Sequence, residues 1–163
     1  MKTKQVQFLT QAAMIAALYV VLTFLANTLG LASGIIQVRL SEMLTILPYF
    51  TSAAIPGVTI GCLLSNILTG CSLLDIVFGT FATLLGATGS YLLRRHKFLV
   101  PLPPIIANTI IVPWILRVSY GVPDAIPYMM VTVGIGEIIS CGILGMVLLF
   151  SLDKYKHIIF KQN

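Results

Sequence analysis

Charge is scarce in this chain. Only 9% of its residues are Asp, Glu, Lys or Arg, where soluble proteins carry about 25%. So few charged groups cannot cover a water-facing surface, which excludes both a soluble globular domain and a disordered tail. Histidine is confined to His96 and His157, in basic flanks, so the apolar segments hold no Ser-His-Asp or Cys-His catalytic set. The three cysteines, Cys62, Cys71 and Cys141, are spaced too irregularly for a metal site. Their odd number argues against a disulfide framework. No G-x-x-x-x-G-K-[ST] loop is present, which excludes ATP hydrolysis by that route. Neither a metal nor an organic cofactor is expected, and the chain does not read as an enzyme. The net charge of +5 and pI of about 9.3 do not mark a nucleic-acid reader either. The basic residues sit in short runs between apolar stretches, as in the flanks of membrane spans.

Apolar residues make up 58% of the sequence, with 13 glycines besides. About 20 apolar residues in a helix cross the hydrocarbon core of a bilayer. The pattern predicts a single all-α domain over 1–163, an integral membrane bundle of six transmembrane helices. The spans fall at about 8–29, 38–50, 53–70, 72–93, 98–117 and 126–151. The second is the shortest, opening with Arg39 and Glu42 and stopping near Pro48. Met1-Lys-Thr-Lys4 and the apolar run behind it imitate a signal peptide. The run continues too far and more spans follow, so it reads as a retained first helix.

Orientation follows from the basic residues. With six spans, Lys2, Lys4, Arg94, Arg95, Lys97, Lys154, Lys156 and Lys161 share one side, and Arg39 and Arg117 keep the other. Eight against two predicts cytoplasmic termini in a multi-pass protein of the cell membrane, with Cys71 facing outward and Cys62 and Cys141 buried.

Ionisable groups inside a membrane are costly and mark pathways, sites or partners. Here they are Arg39, Glu42, Asp75 and Glu137, joined by Asn66 and Asn108. The topology places all of them in the outer half, where Trp114, Tyr120 and Tyr128 also crowd. Each has a bland reading. Arg39 and Glu42, at i and i+3, can neutralise each other. Asp75 suits the first turn of a helix. The asparagines can bridge helices, and the aromatics can form an interfacial belt. Glu137 is the hardest to explain that way. It sits mid-span beside Gly134 and Gly136, which would let a ligand or another backbone approach closely. In the first span, Ala12 with Ala16 and Ala13 with Ala17 form two small-xxx-small faces that permit close helix contact, internal or external. Gly57 and Gly61 in the third span repeat that signal.

Taken together, these features resemble the S-component of an energy-coupling factor transporter. The run Val38-Arg-Leu-Ser-Glu42, then Leu47-Pro-Tyr-Phe50, Ala54-Ile-Pro-Gly57, Gly61-Cys62, Asn66, Asp75-Ile-Val-Phe-Gly79 and Ala82-Thr-Leu84 is similar to the QueT family. Pro101-Leu-Pro-Pro104 and Gly136-Glu137 belong to the same likeness. The resemblance implies a six-helix protein that captures a queuosine precursor, a 7-deazaguanine, at its outer face. It also implies a separate transmembrane T-component and two ATPase subunits to power release inside. Ala12, Ala13, Ala16 and Ala17 then become the expected docking face for the T-component. A 7-deazaguanine offers a donor edge for a carboxylate and a flat face for stacking, and some precursors carry an aminomethyl cation. On that chemistry Glu137 takes the donor edge, Asn66 or Asn108 the acceptor side, Asp75 or Glu42 the amine, and Trp114 or Tyr128 the ring face, with Arg39 in the same polar set. Other readings are an S-component for another vitamin, a stand-alone proton-coupled secondary transporter, and a membrane-embedded enzyme. The sequence shows no inverted repeat for the second and no core histidine or paired catalytic motif for the third.

Overall fold

The computed structural model describes residues 2–32 and 35–156. Ser33 and Gly34 of the first connection lie outside the described residues, as do His157 and Lys161 of the C-terminal basic flank. Among the described residues the chain is entirely helical, without strands. Helix α1 spans Lys2–Thr28 and a 3₁₀ helix spans Leu40–Tyr49. Helix α2 covers Ala54–Leu68. A π-helical turn at Asp75–Gly79 runs directly into α3, Thr80–Leu92. Helix α4 covers Leu102–Tyr120. Helix α5, Ile126–Glu137, continues through a π-helical segment, Ile138–Leu144, into α6, Gly145–Asp153.

Three helical stretches are long and apolar enough to cross a membrane: Thr3–Thr28, Lys97–Tyr120 and Ile126–Asp153. Their outward faces fit lipid rather than water, with Val6, Leu9, Val21, Val118, Val131 and Val147 all exposed. Ala54–Leu68 is apolar but shorter.

The segment expected as a second span, 38–50, differs. It is a ten-residue 3₁₀ helix, about 20 Å long at about 2.0 Å per residue, and cannot cross a core of about 30 Å by itself. It ends at Tyr49, one residue after Pro48, near where the sequence placed its end. Seven of its ten residues are buried, because it threads the middle of the bundle rather than its rim. Leu44, Ile46 and Leu47 join Ile15 and Tyr19 of α1, Val58 and Cys62 of α2, Ala87 of α3 and Leu149 of α6 in one core.

Small residues set how closely the helices pack. A Cβ on Gly61 of α2 would lie 2.6 Å from Tyr19 Cβ and 3.0 Å from the Ala16 carbonyl oxygen. Gly57 meets Ile15 and the Ala12 carbonyl in the same way. The small-xxx-small signals in the two helices thus face each other. One end of the bundle carries the basic turn after α3. There Asp153 at the end of α6 accepts from Lys97 Nζ at 2.7 Å and from Lys156 Nζ at 3.1 Å.

Candidate functional site

At the end of the bundle opposite Lys97 and Asp153 lies a cavity of about 340 Å³. Its walls come from the C-terminal half of α1, the start of the 3₁₀ helix, the ends of α2 and α4, and the π-helical turn. Arg39 and Asp75 are the charged residues among those lining it, and Tyr19, Thr23, Asn66 and Tyr120 supply polar side chains beside them. A small volume with apolar helix walls and a few convergent polar groups is the form of a small-molecule site.

Local structure fixes each wall residue. Asp75 opens the π-helical turn, a form common at functional positions. Its Oδ2 accepts from the Tyr120 hydroxyl at 3.0 Å, and its backbone N–H donates to Ser72 Oγ at 3.2 Å. Asp75 is buried, yet its Oδ1 has no hydrogen-bond partner among the described residues. Asn66 Nδ2 donates to the Asp75 carbonyl oxygen at 3.3 Å, so it ties α2 to this turn and lines the cavity as well. Arg39 is anchored by its backbone N–H, which donates to Ser140 Oγ at 3.1 Å. Among the described residues no carboxylate comes within ion-pair distance of its guanidinium. Glu42, on the next turn, does not pair with it directly.

Behind the wall is a second, fully buried group that does not line the cavity. Tyr19 stands between the two levels, lining the cavity while its hydroxyl donates to Glu42 Oε1 at 2.5 Å. Glu42, Glu137 and Cys141 bring one polar atom each within 4.8 Å of one another. Cys141 Sγ donates to Glu137 Oε2 at 3.3 Å. Asn108 of α4 lies beside both carboxyls. Glu42 Oε2 is left without a partner among the described residues. By donor type this trio could hold a cation, but the neighbouring Arg39 guanidinium opposes a second positive charge there.

The expected site residues thus divide into three places. Arg39, Asp75 and Asn66 line the cavity. Glu42, Glu137 and Asn108 are gathered in the buried layer behind it. Trp114 and Tyr128 join neither, being 56% and 50% exposed. Trp114 lies in a shallow apolar groove with Leu74, Phe78 and Ile110, and neither ring lines the cavity. The aromatic residues at the cavity are Tyr19 and Tyr120. Of the two glycines beside Glu137, Gly136 lets the Gln37 backbone carbonyl approach closely, while Gly134 meets only Thr109 at ordinary contact distance. Tyr19 and Thr23 line the cavity without having been singled out in the sequence. A tyrosine amid an otherwise apolar helix was a usable signal for the first, since its hydroxyl needs a partner in that setting. The docking pairs divide too. Ala12 and Ala16 are buried against α2, while Ala13 and Ala17 lie on the exposed side of α1.

Over 98 residues the chain is 38% identical to the queuosine precursor transporter QueT of Lactococcus lactis subsp. cremoris (strain MG1363). That alignment covers 60% of this chain and 57% of the relative, so the match spans little more than half of the relative's length. No solved structure matches. Residues 9–154 match the QueT transporter family, and the chain belongs to that family of transporters.

Proposed function

We propose that this chain is the solute-capturing S-component of an energy-coupling factor transporter, and that its solute is a queuosine precursor of the 7-deazaguanine class. The observation that carries the reading is the cavity, with one cation, one carboxylate and two tyrosines at the end of the bundle away from the basic turn. Placing that basic turn in the cytoplasm follows the positive-inside rule and puts the cavity at the outer face. Six crossings with both termini inside fit this orientation, with the 3₁₀ helix crossing as part of the core rather than against lipid. Without a P-loop in the sequence, concentrating a solute calls for outside power. A T-component and two ATPase subunits supply it in this reading. Ala13 and Ala17 are the part of the alanine face left for docking, since Ala12 and Ala16 are spent on α2.

Calorimetry of the purified protein with 7-(aminomethyl)-7-deazaguanine tests the capture role. Uptake into vesicles with and without the T-component and ATPases tests the coupling. Saturable binding with uptake only in the full assembly is expected. Uptake by the lone chain driven by a proton gradient would favour a secondary transporter. Binding of a different vitamin alone would reassign the substrate.

A further inference from the structure

We infer that Arg39 and Asp75 together read the lactam–amidine edge of the solute, the guanidinium meeting the ring carbonyl oxygen and the carboxylate meeting the ring N–H and the exocyclic amine. The inference rests on the substrate reading above and moves the recognition of that edge away from Glu137.

The cavity holds an opposite pair that has not closed on itself. Arg39 and Asp75 line the same space. Yet the two do not come within ion-pair distance. A guanidinium carries five N–H donors and no acceptor, and no hydrogen bond from this one to a described residue is made. Asp75 has the Tyr120 hydroxyl on Oδ2, and its Oδ1 is buried against Gly79 without a partner, so the carboxylate must turn to present both oxygens to a ligand. A carboxylate has about four acceptor positions, so most of its capacity is unspent. Polar groups left so in a low-dielectric wall are costly until a ligand completes them.

The solute that completes both at once has an acceptor beside two donors on one planar edge. A 7-deazaguanine has that order: carbonyl oxygen, ring N–H, amine. It lacks the ring nitrogen at position 7 that normally lets arginine grip a guanine from the other side. Its carbonyl is then the acceptor left for Arg39. An adenine-type edge places a donor toward the guanidinium and an unprotonated ring nitrogen toward the carboxylate, which opposes like with like at both points. Glu137 is poorly placed for this role, because it is engaged by Cys141 and does not line the cavity.

The test uses three bases carrying the same aminomethyl arm: the 7-deazaguanine, its analogue without the exocyclic amine, and the 7-deazaadenine counterpart. Affinities are measured by calorimetry on wild-type protein, Asp75→Asn and Arg39→Met. Wild type is expected to prefer the guanine form over the adenine form by about 10- to 100-fold, with the amine-free form between. Asp75→Asn should shrink the gap between guanine and amine-free forms. Arg39→Met should weaken both carbonyl-bearing bases and spare the adenine form, with Arg39→Lys restoring part of the loss. Equal binding of all three bases by wild type would overturn the inference and leave the substrate reading standing. So would variants that weaken all three by one common factor, which is what a merely structural role predicts. Binding of none of the three by wild type would overturn the substrate reading itself, and this inference with it.

Discussion

The Tyr19 hydroxyl donates to Glu42 Oε1 at 2.5 Å, joining α1 to the 3₁₀ helix through the floor of the cavity. Both residues are almost completely buried, at 2% and 1% exposure. Glu42 Oε2 already lacks a partner among the described residues, so losing this bond would strip the carboxyl of its donor from α1. Tyr19→Phe keeps the ring that packs on Gly61 and removes only the hydroxyl. It should cost about 1–3 kcal/mol of stability, the penalty for an orphaned buried polar group. Thermal unfolding in detergent reads this, and an unchanged midpoint would show that Glu42 finds another donor.

Glu137→Gln should fold and insert as well as wild type or better, because an amide carries no charge to bury beside Glu42, where an ionised carboxylate would. Its effect on solute affinity should be smaller than that of Asp75→Asn, since Asp75 lines the cavity and Glu137 does not. Calorimetry of both variants with one ligand decides the order. A larger loss in Glu137→Gln would place the solute in the buried layer, beneath Tyr19.

Composition and charge placement made the helical membrane character legible, because both follow from solvent and not from packing. The polar residues singled out in the sequence do gather in two adjoining layers, since buried polar groups must find one another. Depth and facing were harder. Glu42 and Glu137 were recognisable as intramembrane acids, but neither lines the cavity, because Tyr19 stands between it and Glu42. The π-helical segments at Asp75–Gly79 and Ile138–Leu144 shift the register of everything after them, and no local sequence signal announces them. Trp114 and Tyr128 share the cavity's end of the bundle yet face outward, a matter of rotation about the helix that depth alone does not fix. The 3₁₀ form of Leu40–Tyr49 likewise arises from its central position, which a local window cannot see.

Accessibility gives a check on orientation. Cys71 is partly exposed at the cavity, while Cys62 and Cys141 are buried at 1% and 0%. An impermeant maleimide applied to intact cells should therefore label Cys71 and leave the other two untouched. Saturating the protein with solute should slow that labelling, because Cys71 lines the same cavity as Arg39 and Asp75. Labelling of Cys71 only after the membrane is opened would invert the proposed topology.

The alanine face of α1 separates a folding role from a docking role one residue apart. Ala16 is 6% exposed, and its carbonyl oxygen lies 3.0 Å from where a Cβ on Gly61 would stand. Ala17 is exposed. Ala16→Leu forces added volume into the α1–α2 contact and should cost about 1–3 kcal/mol, the usual penalty for overfilling a packed site. Gly61→Ala should behave alike, because its new Cβ would stand 2.6 Å from Tyr19 Cβ. Ala17→Leu adds the same side chain on the outward face, where nothing within the described residues resists it. It should leave unfolding and solute binding unchanged while weakening co-purification with the T-component, since a bulky residue holds apart two helices that need small ones to meet. Unfolding midpoints, calorimetry and co-purification on the three variants separate the roles. Should Ala17→Leu, and Ala13→Leu beside it, co-purify as well as wild type, the docking surface lies on another helix.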